Sequence, residues 1–164
     1  MKYCSNCKNK NTYSFIEGRK RFHCLNCKII HYQNPKPTAT LICIKNKKIL
    51  LGKRAIKPAK NKWGLIGGFM ELNETIEEAA KRELYEETQL KGETVNIIGI
   101  TSHFNSIFGD ILLIGLTMKI KNWDNLKAGD DIIEAKLFDL NNLPKLAFDS
   151  HQTLIDLYIK NLDH

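Results

Sequence analysis

Residues 68–90 read GFMELNETIEEAAKRELYEETQL, in which a glycine and a short polar loop precede a segment crowded with glutamates. Thr75, followed three residues later by Glu78, forms a capping box, which marks the first turn of a helix. Apolar residues then recur at the spacing of one helical face. The segment therefore predicts an amphipathic helix over residues 75–88 that packs on a core.

Three glutamates of this helix fall on the side that should face the core: Glu83, Glu86 and Glu87. At about 100° per residue they share the stripe that the apolar residues occupy. Carboxylates at positions i, i+3 and i+4 repel one another and are costly to remove from water without positive partners. Arg82 supplies one positive charge for three negative charges. A divalent cation would balance them, and oxygen ligands of this kind favour Mg2+ or Mn2+.

Runs of β-branched and aromatic residues surround the helix and predict a mixed sheet. A glycine-rich loop over residues 57–73 comes directly before the helix, and glycines let the backbone approach a ligand closely. Strands interspersed with a few helices indicate an α/β or α+β fold. The predicted strands cover residues 38–44, 48–53, 95–103, 111–120 and 132–140, and a second helix covers residues 149–162.

Two cysteine pairs near the N-terminus have the spacing of a zinc ribbon. Two residues lie between Cys4 and Cys7 and between Cys24 and Cys27, and sixteen residues separate the pairs. Four thiolates from two such turns complete a tetrahedral zinc site, and metal binding supplies the folding energy that so short a segment lacks. His23 adjoins the second pair and is an alternative fourth ligand.

A linker with two prolines ends this ribbon, so the predicted organisation is a zinc ribbon over residues 1–36 and a second domain over residues 37–164. The ribbon holds eight of the 25 Lys and Arg residues but one of the 18 Asp and Glu residues. The whole formal net charge of +7 therefore lies in it. A basic segment can meet phosphate or an acidic surface, which keeps nucleic acid open as a partner, although not the favoured one.

The sequence carries no signal for export or membrane insertion. No stretch approaches the ~18 consecutive apolar residues that a membrane helix needs. The first ten residues, MKYCSNCKNK, lack the apolar core of a signal peptide. We therefore expect a cytoplasmic protein with no membrane partner, in a reducing compartment where paired cysteines bind metal rather than form disulfides.

Residues 68–90 resemble the Nudix box, Gly-x5-Glu-x7-Arg-Glu-apolar-x-Glu-Glu-x-Gly-apolar. Gln89 stands where this family usually has glycine, at the end of the helix rather than among the ligands. The matching residues are Gly68, Glu74, Arg82, Glu83, Leu84, Glu86, Glu87 and Leu90. Four further segments are similar to Nudix hydrolases that carry a zinc ribbon, which include bacterial enzymes and the plant chloroplast FAD/ADP-ribose pyrophosphatases. These segments are residues 31–36, 51–54, 134–138 and 146–148.

The resemblance implies an α/β/α sandwich with a mixed sheet and assigns roles in hydrolysis. Arg82 would orient the glutamates of the helix. The general base varies across the family, and here Glu134, on a strand after Asp130 and Asp131, is the first candidate, with Glu86 as the second. The ligands of the catalytic Mg2+ or Mn2+ would be Gly68 through its carbonyl, Glu74, Glu83, Glu86 and Glu87.

Four residues are candidates for binding substrate: Arg54, Trp63, Phe104 and Phe108. The arginine belongs to one of the segments shared with the family, and the three rings could stack on a base or a flavin. Two histidines, at positions 103 and 151, have no partner in the sequence and are interpreted as structural or exposed.

The resemblance implies metal-dependent hydrolysis of the pyrophosphate bond of a nucleoside diphosphate linked to another group, with ADP-ribose or FAD as the substrate. The Ser-Gln-Pro-Trp segment that follows the box in NADH pyrophosphatases is absent here. An NADH or nucleotide-capped RNA pyrophosphatase is the alternative among enzymes. A nucleic-acid-binding regulator with an inactive Nudix domain is the alternative from another class. A homodimer is a further expectation, since Nudix domains often dimerise.

Overall fold

The computed structural model describes residues 1–162 of the chain. Its contacts divide the chain into two compact units, Met1–Asn34 and Pro35–His164. The predicted boundary after residue 36 lies two residues beyond this division. That the units are separate functional domains stays a prediction.

The first unit contains a three-stranded antiparallel sheet. Its strands are β1 (Thr12–Ile16), β2 (Arg19–His23) and β3 (Ile30–His31), with β2 in the centre. The segments before β1 and between β2 and β3 carry the two cysteine pairs. The unit is therefore a small sheet combined with two cysteine-bearing turns.

The two turns that carry the cysteine pairs have the same local geometry. The N–H of Cys4 donates to the carbonyl of Asn9 at 2.8 Å, and the N–H of Cys24 donates to the carbonyl of Ile29 at 2.9 Å. The lysine after the second cysteine of each pair has a left-handed backbone, with φ of 61° and 60°. Glycine is favoured in this conformation, so both turns form in spite of an unfavourable residue.

The second unit is built on a mixed sheet, as the sequence predicted. Within residues 35–162 it has seven strands, with β10-β5-β4-β9-β8 as the main order, β6 beside β5 and β7 beside β4. Only the pair β4 and β9 is parallel among these strands. The strands are β4 (Lys36–Lys45), β5 (Lys48–Arg54), β6 (Trp63–Gly64), β7 (Ile66–Phe69), β8 (Gly92–Ser106), β9 (Gly109–Ile120) and β10 (Ile132–Asp139). The two short strands β6 and β7 lie in the segment predicted as a loop.

Two helices cover the two faces of this sheet, which confirms the α/β/α arrangement. They are α1 (Ile76–Thr88) and α2 (Asp149–Lys160). On β4, Leu41 packs with the cluster beneath α1, whereas Ile42 packs with the cluster beneath α2. Neighbouring residues of a strand point to opposite faces, so one strand supplies both cores. Each fully buried side chain of this size contributes about 1.5–3 kcal/mol.

The helix α1 begins as the sequence predicted. Thr75 Oγ1 accepts the N–H of Glu78 at 3.2 Å, and Glu78 Oε2 accepts the N–H of Thr75 at 2.8 Å. This capping box is therefore confirmed. Among residues 1–162, no helix combines the length and the apolar character needed to cross a membrane.

The helix α1 ends at Gln89, the residue that departs from the family pattern. Its backbone is left-handed, with φ of 58°, and its N–H donates to the carbonyl of Tyr85 at 2.8 Å. Its side-chain Nε2 donates to the same carbonyl at 3.2 Å. The helix thus ends in the usual left-handed conformation, although the Cβ of Gln89 makes this conformation sterically unfavourable.

Replacing Gln89 by glycine should raise the free energy of unfolding by about 0.5 kcal/mol. Relief of about 1 kcal/mol of backbone strain is reduced by the larger entropy of glycine in the unfolded chain. Urea denaturation with an unchanged m-value would measure the gain. Gln89→Ala is the matched control, since it keeps the strain and removes the side-chain hydrogen bond. A glycine variant no more stable than the alanine variant would contradict the explanation.

Candidate active site

The second unit contains a cavity of about 370 Å³. Residues that surround it come from β4, β5, β7, β8, β9, α1, the loop after β5, the loop before β10 and the start of α2. Part of the lining is apolar and aromatic, and part is strongly acidic. The acidic residues are Glu71, Glu83, Glu87, Asp130 and Asp131.

Arg82 joins the acidic residues of the helix into one network. Its Nε and Nη2 donate to the two carboxylate oxygens of Glu74, at 2.7 and 3.0 Å. Its Nη1 donates to Glu83 Oε1 at 2.6 Å and to Glu86 Oε2 at 3.0 Å, and Nη2 also reaches the carbonyl of Phe69 at 2.9 Å. The hydrogen bond from Arg82 lowers the pKa of Glu74, and the bond to Glu74 raises the pKa of Arg82. One guanidinium therefore fixes three carboxylates.

Two carboxylates of α1 are buried beside its apolar residues. Glu83 is 8% exposed and Glu87 is 6% exposed. Burial raises the pKa of Glu83, and burial raises the pKa of Glu87 to about 8 even though the N–H of Gly67 donates to its Oε2 at 3.0 Å. Both groups thus carry a desolvation cost that a nearby cation would relieve.

The glycines before the helix are required by close packing. A side chain at Gly68 would place its Cβ 2.6 Å from Glu83 Oε1, so the Glu83 carboxylate would have to leave its present position. Gly67 has φ of 134°, and a Cβ there would overlap the backbone of Ala39. These two glycines of β7 thus let the strand approach the Ala39 backbone and the Glu83 carboxylate closely.

The third glutamate of the predicted cluster is not buried. The side chain of Glu86 is 44% exposed and lies outside the cavity lining, in contrast to Glu83 and Glu87. Around the helix axis, Glu86 lies at the edge of the apolar stripe, and from there its long side chain extends into water. Its bond to Arg82 nevertheless keeps it next to the other acids.

Glu134, the first candidate for the general base, does not line the cavity. Its side chain is 48% exposed and its Oε2 lies 3.6 Å from Lys53 Nζ on the neighbouring strand. A register shift between Ile132 and Glu134 interrupts the pairing of β10 with β5 at this point. The acids that do line the cavity belong to the preceding loop, Asp130 and Asp131.

The structure brings two of the four predicted substrate residues to the cavity. Arg54 and Phe108 belong to its lining. Trp63 packs edge-on against Phe138, with ring centroids 4.7 Å apart, and contributes to the core beneath α2. Phe104 is 66% exposed and outside the lining.

The start of α2 contributes groups that sequence reasoning missed. The N–H of Leu65 donates to Nδ1 of His151 at 2.9 Å, and burial lowers the pKa of His151 to about 3. The ring is therefore neutral near pH 7 and carries its proton on Nε2. The neighbouring Ser150 Oγ is buried and has no hydrogen-bond partner within the described residues. Both residues line the cavity.

Phe148 supplies an aromatic surface in the same part of the cavity. The guanidinium carbon of Arg54 lies 5.3 Å from the centroid of this ring. The rings of His103 and His151 contact it edge-on, at centroid distances of 5.3 and 5.1 Å. The two histidines interpreted as structural or exposed are thus cavity residues that fix Phe148. No signal in the sequence could reveal this, since the contacts depend on where α2 packs.

The four cysteines of the first unit form a compact cluster. Their sulfur atoms all lie within 4.8 Å of one another, with Cys4 and Cys27 at 3.5 Å and Cys7 and Cys24 at 3.3 Å. None of the four is in a disulfide bond. His23, the alternative ligand, is not part of the cluster found among the described residues.

Comparison with known proteins places the second unit in a family. The family model for the NUDIX domain matches residues 35–158. The chain is 42% identical over 130 residues to an ADP-ribose pyrophosphatase of Methanocaldococcus jannaschii, covering 79% of this chain and 76% of that protein.

Two further comparisons include the first unit. A crystal structure of a NUDIX hydrolase from Nitrosomonas europaea superimposes with a TM-score of 0.84 at 32% identity, covering 98% of this chain and 91% of that chain. The NAD-capped RNA hydrolase NudC of Pseudomonas aeruginosa is 25% identical over 161 residues, covering 96% of this chain. The chain spans 55% of the length of that relative.

Replacing Glu87 by glutamine should stabilise the protein when no Mg2+ or Mn2+ is present. The pKa of this carboxyl is raised from 4.5 to about 8 on folding, so the wild type loses stability as the pH rises through this range. The variant avoids that loss, and its advantage should grow from pH about 4.5 and level off above pH about 8. Urea denaturation across this range would measure the difference.

Glu77→Gln is the matched control for this experiment, because it removes the same charge from an exposed position of the same helix. It should lack the pH-dependent gain. An advantage of Glu87→Gln that is constant across the pH range would contradict the burial argument.

Proposed function

Because the chain belongs to the NUDIX family of pyrophosphohydrolases, we propose that it hydrolyses ADP-ribose, with FAD as the second candidate substrate. The observation that carries the proposal is the cavity, whose lining combines buried carboxylates with an aromatic wall and neutral hydrogen-bonding groups. This combination suits a diphosphate joined to a nucleoside. The 42% identity to an ADP-ribose pyrophosphatase supports the same substrate.

Divalent cations fit the acidic part of the cavity. Glu83 and Glu87 are buried with raised pKa values, so a cation close to them would remove an electrostatic cost. The proposed ligands are the predicted ones, namely Gly68, Glu74, Glu83, Glu86 and Glu87. When bound, Mg2+ or Mn2+ neutralises the diphosphate oxygens and activates water for attack.

The arginine and the carboxylates around this site have distinct roles in the proposed hydrolysis. Arg82 holds Glu74, Glu83 and Glu86 in position through four hydrogen bonds, and a fifth goes to the Phe69 carbonyl. The attacking water must lose a proton to a nearby carboxylate. Asp130 and Asp131 line the cavity, whereas Glu134 pairs with Lys53 outside it. We therefore favour an aspartate of this loop over Glu134 as the general base.

The non-acidic part of the cavity is suited to the nucleoside. A base stacked on the ring of Phe148 would contribute about 1–3 kcal/mol. The Nε2–H of His151 can donate to a polar edge of the base, and Ser150 Oγ is a buried group that a ligand would satisfy. Arg54 lies over the ring of Phe148, 5.3 Å from its centroid, where its positive charge can meet a phosphate.

Zinc is the metal proposed for the four cysteines. Four thiolates at mutual distances within 4.8 Å match a tetrahedral site with Zn–S bonds of about 2.3 Å. A site filled by four sulfurs has no open position and is therefore structural. The homodimer and the cytoplasmic location stay predictions.

A panel of substrates tests the proposed function. With Mg2+ present, kcat/KM for ADP-ribose should exceed the values for NADH and for nucleoside triphosphates by at least about tenfold, which is about 1.4 kcal/mol in the barrier. FAD should rank next. An NAD-capped RNA belongs in the panel, because a relative with that activity matches the chain across both units. NADH, a triphosphate or the capped RNA ahead of ADP-ribose would refute the substrate assignment.

Two glutamine variants show whether the turnover belongs to this site. Glu83→Gln should lower kcat by at least about 100-fold, because it weakens a metal ligand that also bonds to Arg82. Glu77→Gln removes the same charge from an exposed position on α1 and should stay within about twofold. Equal rates for the two variants would remove Glu83 from the mechanism.

Elemental analysis of the purified protein should find about one zinc per chain. Cys24→Ser should release it, because one thiolate of four is lost and the segment has little core of its own. Cys43→Ser is the matched control, since this cysteine is buried in β4 and distant from the cluster in sequence. Full zinc content in Cys24→Ser would contradict the assigned site.

A further inference from the structure

One face of the sheet in the first unit is aromatic and basic. In the pairing of β1 with β2, Tyr13 lies opposite Phe22 and Phe15 lies opposite Lys20. Cross-strand partners share a face, and residues two apart on a strand share it too. Tyr13, Phe15, Lys20 and Phe22 therefore form one surface, here called the aromatic face.

The rings of the aromatic face are largely open to water. Tyr13 is 55% exposed and Phe15 is 71% exposed. Tyr13 is fixed from one side by the ring of Phe22, at a centroid distance of 4.6 Å, and Lys20 Nζ lies 6.0 Å from the centroid of Phe15. The rings of Tyr13 and Phe15 and the ammonium group of Lys20 thus lie close together, with much of both rings open to water.

The opposite face of the same sheet contains similar groups, but they are engaged with one another. Arg21 lies 4.8 Å from the ring centroid of Tyr32 and 3.6 Å from Glu17 Oε2. The hydroxyl of Tyr32 donates to the same oxygen at 3.1 Å. Glu17 is the only acidic residue of residues 1–34, so no carboxylate of that unit remains for Lys20.

The charge of the whole unit favours a polyanion. Residues 1–34 carry seven Lys and Arg residues against one acid. A bound zinc with four thiolates would lower this excess by two charges and leave it positive. Such a surface attracts phosphates over a distance set by the ionic strength.

We propose that the aromatic face binds single-stranded nucleic acid, RNA and DNA alike. Unpaired bases have free π faces that stack on exposed rings, and the phosphates between them meet Lys20 and the other cations of the unit. An acidic peptide would satisfy the cations but leave the rings in water. A duplex would leave them uncovered as well, since its bases are already stacked. This binding function is additional to hydrolysis and does not depend on the substrate proposed above.

Fluorescence anisotropy with a labelled oligouridine tests the proposal on the full-length, zinc-loaded chain, without Mg2+ so that no hydrolysis occurs. We expect saturable binding with a Kd of about 1–100 µM at low salt. An oligothymidine should bind within about threefold, since stacking does not depend on the sugar hydroxyl. A duplex of the same length should bind at least about tenfold more weakly.

Two tyrosine variants compare the aromatic face with the opposite face of the same sheet. Tyr13→Leu should weaken binding by about tenfold through the loss of stacking. Tyr32→Leu is the matched control, because the two tyrosines are equally exposed at 55%, and it should stay within about twofold. Lys20→Gln should weaken binding. It should also reduce the slope of the logarithm of the binding constant against the logarithm of the salt concentration by about one, as expected for the loss of one phosphate contact. Zinc content and thermal unfolding check that each variant is folded.

Three results would overturn the proposal. One is the absence of binding to either single strand at low salt. Another is equal binding of the duplex, which would indicate attraction by charge alone. The third is an equal effect of Tyr13→Leu and Tyr32→Leu, which would remove the aromatic face from recognition. If the tyrosine variants lose zinc or fold poorly, Lys20→Gln is compared with Lys160→Gln, which removes the same charge from an exposed position of the second unit. Equal losses for both would likewise refute a site on the aromatic face.

Discussion

The burial of two carboxylates on the core-facing side of α1 is the constraint on which the second unit depends. Glu83 and Glu87 are desolvated beside the same residues that hold the helix on the sheet. Such a placement is costly unless positive charge and hydrogen-bond donors compensate it. The fold supplies Arg82 for the first carboxylate and the N–H of Gly67 for the second. Arg82 and the Gly67 N–H compensate only part of the desolvation cost of the two carboxylates. A cation bound there would compensate the rest.

The surrounding structure follows from this constraint. The segment before α1 comes close to Glu83 at Gly68 and to the Ala39 backbone at Gly67, where glycines leave room. Strand β4 pairs with β7 and so fixes that segment, while β4 also supplies residues to both cores. The carboxylates are thus placed by the same strand that organises the sheet. Displacement of this segment would both expose the carboxylates of Glu83 and Glu87 and weaken the packing of α1.

Spacing within one element made part of this structure predictable, and packing between elements made the rest unpredictable. The capping box and the inward direction of Glu83 and Glu87 follow from positions close in sequence. The grouping of the four cysteines follows from a motif, the same short spacing repeated in two pairs. Glu134 could not be placed in this way, because a register shift lies just before it. Trp63 belongs to the core and His151 to the cavity for a reason visible only in three dimensions. The start of α2 packs against β6, where the N–H of Ala147 donates to the carbonyl of Trp63 at 2.7 Å.

The cavity takes most of its acids from α1 and the loop before β10, and a part of its remaining wall from the segment that begins α2. The helices that carry these two sources pack with different cores. Substitutions at the start of α2 can therefore alter the non-acidic wall of the pocket without replacing any of the acids on α1. Such a division offers evolution a way to change which nucleoside fits while the carboxylates themselves are kept.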